Sequence, residues 1–173
     1  MNESRLNQEN MPVGLLEVLV RRSNGCIIGD DYVAWALRAL EANIESSSLI
    51  TLAGLPARIG RADTEIYFES ALEELAIHIP EQKTLLLKYL TQVAQEISAG
   101  SIDVKSALDK IHKQVINPLN HPEELRGWCY LWEGNHPDGF GEVSELDFDS
   151  YVRGYAQRFL QTVGDNSESG EIV

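Results

Sequence analysis

The chain has 173 residues, 43% hydrophobic and 24% charged, long enough to bury roughly two thirds of its unfolded surface without help from disulfides or metals. That composition excludes wholesale disorder. With 14 Lys and Arg against 27 Asp and Glu, the formal net charge of -13 repels phosphate backbones and anionic lipid, so nucleic-acid and membrane-surface roles start at a disadvantage.

Cys26 and Cys129 are distant in sequence and form no CxxC pair, which fits two thiols in a reducing compartment. The apolar run over residues 13–20 is short and interrupted by Gly14 and Glu17, so no signal peptide or membrane span is read, and a cytoplasmic location is expected.

Residues 1–10 read as a flexible tail. Pro12 suits a helix start, with Val13, Leu16, Leu19 and Val20 as its apolar face and Arg21 and Arg22 as cations at its C-terminus. After a turn at Ser23, Asn24 and Gly25, the run of Cys26, Ile27 and Ile28 is too short to separate a strand from a buried loop. Asp30 or Asp31 caps a second helix whose core stripe is Val33, Ala36, Leu37, Leu40 and Ile44, with Trp35 toward one edge. Ser46, Ser47 and Ser48 cap a short helix over 49–53, stopped by Gly54 and Pro56, and residues 56–62 form an aperiodic loop with Arg58 and Arg61.

The strongest periodicity runs over residues 63–79. Phe68, Ala71, Leu72, Leu75, Ala76 and Ile79 fall at spacings of three and four, while Glu65, Glu69, Glu73 and Glu74 lie largely off that stripe. Asp63 or Thr64 is the expected N-cap and Pro80 the expected stop, which makes this helix a buried brace. Pro80 and Glu81 then open a helix striped by Leu86, Tyr89, Leu90, Val93, Ala94 and Ile97 and closed by Gly100. The short connection predicts an antiparallel hairpin with the brace. A third helix starts at Ser101 or Asp103, with Val104, Ala107, Leu108, Ile111 and Val115 inward, so residues 63–115 read as a three-helix centre.

His121 and Pro122 open a shorter helix in which Leu125, Trp128, Cys129 and Trp132 share a face, and Gly134 stops it. A turn-rich loop follows to Ser144, whose hydroxyl with Asp147 resembles a capping box, and Phe148, Val152, Tyr155 and Phe159 mark the last helix. The whole reads as an all-α, single-domain bundle of about six or seven helices over residues 11–163, with a disordered acidic tail at 164–173.

Chemistry is sparse. His121, Cys129, His136 and Asp138 are metal-ligating types, but no CxxC, HxxxH or HExxH pair supplies two ligands from one rigid element. Aligning Gly139 to the glycine of a calcium-binding helix–loop–helix puts Gly134 and His136 where oxygen donors are required, so that match fails. No phosphate-binding glycine loop and no GxSxG motif occurs. Cys26 lacks a local histidine motif, and His78 and His112 sit on separate helices. No cofactor or resident metal is expected.

Recognition remains. Between Gly127 and Val152 the chain has no Lys or Arg but carries Glu133, Asp138, Glu142, Glu145, Asp147 and Asp149 beside Trp128, Tyr130, Trp132, Phe140 and Tyr151. Aromatics supply contact area and acids steer a cationic partner. The reading is a non-enzymatic, cytosolic protein-binding module of the inhibitor or immunity type, contacting a basic partner through Tyr130, Glu133, Asp138, Phe140, Glu142 and Glu145. The alternatives are a metal-dependent enzyme built on the cluster at 121–138 and a structural, self-associating protein.

Overall fold

The computed structural model of the protein describes residues 11–56, 58–134 and 145–169. Among them are eight α-helices and no strand, so the protein is all-α, one or two helices richer than the sequence pattern suggests. The segment around Ile27 is loop. No helix of the described residues is long and apolar enough to cross a membrane. By its internal contacts the chain divides into two compact units, Met1–Leu85 and Leu86–Val173.

The first unit holds α1 (Leu15–Ser23), α2 (Gly29–Glu41), α3 (Ser47–Ala53) and α4 (Arg61–Glu74). Helices α2, α3 and α4 pack on one another, and α1 packs on α2. Their shared core is aromatic. The Phe68 ring lies 4.5 Å from Tyr32 and 5.2 Å, edge on, from Trp35, and all three side chains are fully buried. Offset and edge contacts of this kind suit the ring quadrupoles. The buried face of α2 is therefore Tyr32, Trp35, Ala36 and Ala39, rotated from the expected stripe, and Leu37 faces solvent at 48% exposure. Trp35, expected at an edge, sits at the centre because only that rotation presents two large rings to Phe68. In α1, Leu15 and Val18 join Leu19 and Val20 in the core while Val13 is exposed. Where α2 begins, Gly29 is buried so close to the Ile59 carbonyl that a Cβ would collide with it.

Helix α4 is shorter than its periodicity. It ends at Glu74, with Leu75 half-buried as C-cap, and buries Thr64, Phe68, Ala71 and Leu72. The Ala76 amide donates to the Glu73 carbonyl and the Ile77 amide to the Leu72 carbonyl, a Schellman closure that places Ala76 at φ +53°. The chain leaves the helix there, and Ile79 ends 44% exposed. Gly60, not Asp63 or Thr64, is the N-cap, and the buried Thr64 hydroxyl donates to the Arg61 carbonyl at 2.8 Å. Residues 75–81, rather than one or two, connect α4 to α5.

Polar clamps complete this unit. Arg22 at the end of α1 donates to Glu65 at 2.8 Å and to Glu69 on α4, its guanidinium 5.7 Å from the Phe68 ring centre. Arg61 donates to the other Glu65 oxygen at 3.0 Å. Burial opposes charge at Glu65, but the two guanidinium hydrogen bonds outweigh it and hold its pKa low.

The second unit begins within α5 (Gln82–Ala99) and continues with α6 (Val104–Ile111), α7 (Arg126–Trp132) and α8 (Glu145–Ser169). The expected stripe of α5, Leu86 through Ile97, is buried, as are Val104, Ala107, Leu108 and Ile111 of α6. Gly100 closes α5 at φ +70°, and the Arg153 guanidinium of α8 lies where its Cβ would be. Trp128 is buried in α7 with its ring 5.0 Å from Tyr155 and 5.6 Å from Phe159, both edge on. Gly127 makes that packing feasible, since a Cβ there would strike the Tyr155 hydroxyl. Among the described side chains of α8, Val152 and Ala156 are buried, and the helix runs on to Ser169 into the segment expected as a tail.

Candidate functional site

One end of the second unit gathers polar and aromatic groups onto α6, the turn after it, and α7. Asp103 caps α6, accepting from the Ser106 amide at 2.9 Å. The helix then widens into a π-helical turn, His112–Ile116, a local irregularity that recurs at functional sites. Beyond it Asn120 and His121 both adopt left-handed backbone, at φ +59° and +52°. The His121 amide donates to the Ile116 carbonyl at 3.0 Å, which fixes the strained pair and turns the chain into a 3-10 turn, Glu123–Leu125, and then α7.

The widened turn brings the His112 ring flat against the Trp132 indole, with centroids 3.7 Å apart and planes 3° from parallel. The indole N–H donates to Asp109 Oδ1 at 2.8 Å, and Asp109 Oδ2 accepts from Lys113 Nζ at 2.8 Å. His121 stands edge on to His112, centroids 5.6 Å apart, and its Nδ1 is 4.0 Å from Cys129 Sγ. The stacked His112 ring and the Asp109 carboxylate thus hold Trp132 in one orientation while 40% of it stays exposed.

Electrostatics agree with a held site rather than a reactive one. The hydrogen bond from Lys113, and then that from Trp132, lower the Asp109 pKa. Burial, and then His121, lower that of His112, so its imidazole is neutral at pH 7. Burial raises the Cys129 thiol, and Glu133 adds to the effect, which disfavours a thiolate nucleophile.

Of the residues predicted to meet a partner, Tyr130 is 39% exposed on α7 and Glu133 is exposed at its C-cap. Three residues apart, they share one helix face. Glu145 opens α8, while Asp138, Phe140 and Glu142 lie outside the described residues. The predicted buried face of α7 needs correction. Leu125, Trp128 and Leu131 are buried, whereas Cys129 is half-buried and Trp132 belongs to the surface. That Asp109 and His112 meet Trp132 was not legible, because the π-helical turn that begins at His112 departs from the regular period and leaves no composition signal.

For the metal alternative, the structure brings His121 and Cys129 together, while His136 and Asp138 lie outside the described residues. Among the described residues no group of three or more His, Cys, Asp or Glu side chains converges on a metal position. Compared with protein-family models, with curated proteins and with solved structures, the chain finds no match.

Proposed function

We propose that the protein is a non-enzymatic protein-binding module, of the inhibitor or immunity type, that recognises a basic partner through the exposed edge of α7 and the acidic segment after it. The observation that carries this reading is Tyr130, an aromatic side chain left 39% exposed beside Glu133 on a helix that buries Trp128 and Leu131. Tyrosine supplies contact area at small entropic cost, and its hydroxyl tolerates solvent until a partner arrives. The six acids over residues 133–149, with no Lys or Arg among them, favour approach of a cationic surface. Trp132, clamped by His112 and Asp109, offers a second, pre-ordered contact.

The test is paired capture from lysate of the source cells on immobilised wild type and Tyr130→Ala, washed with rising salt. A basic protein retained by the wild type at low salt, released as salt rises and lost from the variant supports the reading. Capture that is indifferent to Tyr130 and to salt overturns it.

A further inference from the structure

We propose that His112 is a proton-operated latch on Trp132: uncharged, its imidazole holds the indole in place, and protonated in mild acid it lets the indole go. The latch stands on the stack itself, and only its consequence for binding rests on the partner-binding reading. Imidazole is the side chain whose ordinary proton exchange falls between about pH 5 and pH 8. Here one imidazole lies flat on the indole, with centroids 3.7 Å apart, and a second, His121, stands edge on to it at 5.6 Å. The backbone under both rings is fixed. His112 opens the π-helical turn, and His121 is held at φ +52° by its amide bond to the Ile116 carbonyl.

The groups that face the His112 ring decide what a proton does there. They are Asp109 on α6, Lys113 in the π-helical turn, His121 in the turn before α7, and Glu133 at the C-cap of α7. Both Asp109 oxygens already accept, one from the Trp132 indole and the other from the Lys113 ammonium, so this carboxylate has a cation of its own. Glu133 and the indole face attract an imidazolium. Partial burial, then His121 and Lys113, oppose it, and the lowered His112 pKa shows that the opposition wins. The stack is therefore complete above the ordinary value of 6.5 and is lost as pH falls through the His112 value in the folded protein. Charge on His121 as well would add to the repulsion. Once His112 leaves, Trp132 keeps its bond to Asp109 alone, and the pre-ordered contact that it offers a basic partner weakens.

Proton NMR of the full-length protein tests the latch, with the ring signals assigned through His112→Gln and His121→Gln and the indole N–H of Trp132 through Trp132→Phe. From about pH 7.5 to about pH 5, the His112 Cε1 proton is expected to titrate from an upfield, ring-current-shifted position to that of an exposed imidazolium. Its midpoint lies below 6.5, and the Trp132 indole signal moves with the same midpoint. In His121→Gln the midpoint moves up, and in His112→Gln the Trp132 signal no longer follows it. The indole signals of the buried Trp35 and Trp128 stay in place, which separates release of Trp132 from unfolding. A stack that survives protonation, a Trp132 signal that moves only together with Trp35 and Trp128, or a midpoint indifferent to His121 overturns the proposal. These readouts need no partner, so the latch stands or falls apart from the reading scored on Tyr130. Affinity for the captured basic partner is expected to fall by about threefold or more between the same pH values in wild type and to a smaller extent in His112→Gln. An equal fall in the two proteins overturns the regulatory use of the latch.

Discussion

Phe68 is the residue on which the first unit turns. It touches Tyr32 and Trp35 and lies under the Arg22 guanidinium, so truncation opens a cavity beneath two rings and a cation. Phe68→Ala is expected to cost about 3–5 kcal/mol in chemical denaturation. Leu75→Ala, at the half-buried helix end, costs clearly less, and equal losses would contradict the assignment of the core. In the second unit Gly127→Ala drives a methyl into the Tyr155 hydroxyl, and a loss of about 1–3 kcal/mol is expected by the same measurement. Apolar identity at Phe68 and Leu86 was legible because burial follows type. The pairing of Arg22 with Glu65 and Glu69 was not, since ion pairs distant in sequence carry no local period.

At the level of elements, helix ends separate what the sequence shows from what it hides. Five segments close with the same pair of reversed amide bonds, and the left-handed residue is Gly25, Asn43, Ala76, Gly100 or Asn120. Glycine and asparagine announce that geometry because they tolerate positive φ, so the ends of α1 and α5 could be read, whereas α2 stops at Glu41, short of the stripe expected to reach Ile44. Alanine does not, which is why α4 stops at Glu74 while its apolar spacing continues to Ile79. Ala76→Gly relieves a left-handed alanine and is expected to stabilise the protein by about 1 kcal/mol. A loss of stability in thermal melting would show that α4 continues. The cap of α3 gives the converse test. Ser46→Ala removes the oxygen that accepts from the Leu49 amide and is expected to cost about 1 kcal/mol.

Across the whole molecule, charge ties stability to pH. The Ser48 amide, and then the Ser48 hydroxyl, hold the Glu74 carboxylate low, and Glu65, Asp103 and Asp109 are lowered as well. Each binds its proton less readily folded than unfolded, so its stabilisation is full above the ordinary values of 4.5 and 3.8 and is lost as pH falls through the folded pKa. The lowered His112 acts in the same direction from its ordinary 6.5 downward. The melting temperature should therefore be level only between about pH 7.5 and about pH 8, fall in acid, with a shallower fall in Glu74→Gln, and fall again as pH rises through the ordinary thiol value of 9.0, because burial keeps Cys129 protonated. At this scale the helical class was legible from periodicity. On α7 the exposure of Tyr130 was legible from its place off the apolar stripe, whereas the clamp on Trp132 was not, because it depends on a widened turn.

The recognition surface is the central claim, and the dissociation constant of the captured basic partner tests it most directly. It would be measured for wild type and Tyr130→Ala at low and high salt, with melting temperatures taken on the same samples. The account predicts a weakening of about 2 kcal/mol or more for Tyr130→Ala with its melting temperature unchanged, and weaker binding of both proteins at high salt. Equal affinity of the two proteins, or a loss of binding that only tracks a loss of folding, would contradict it.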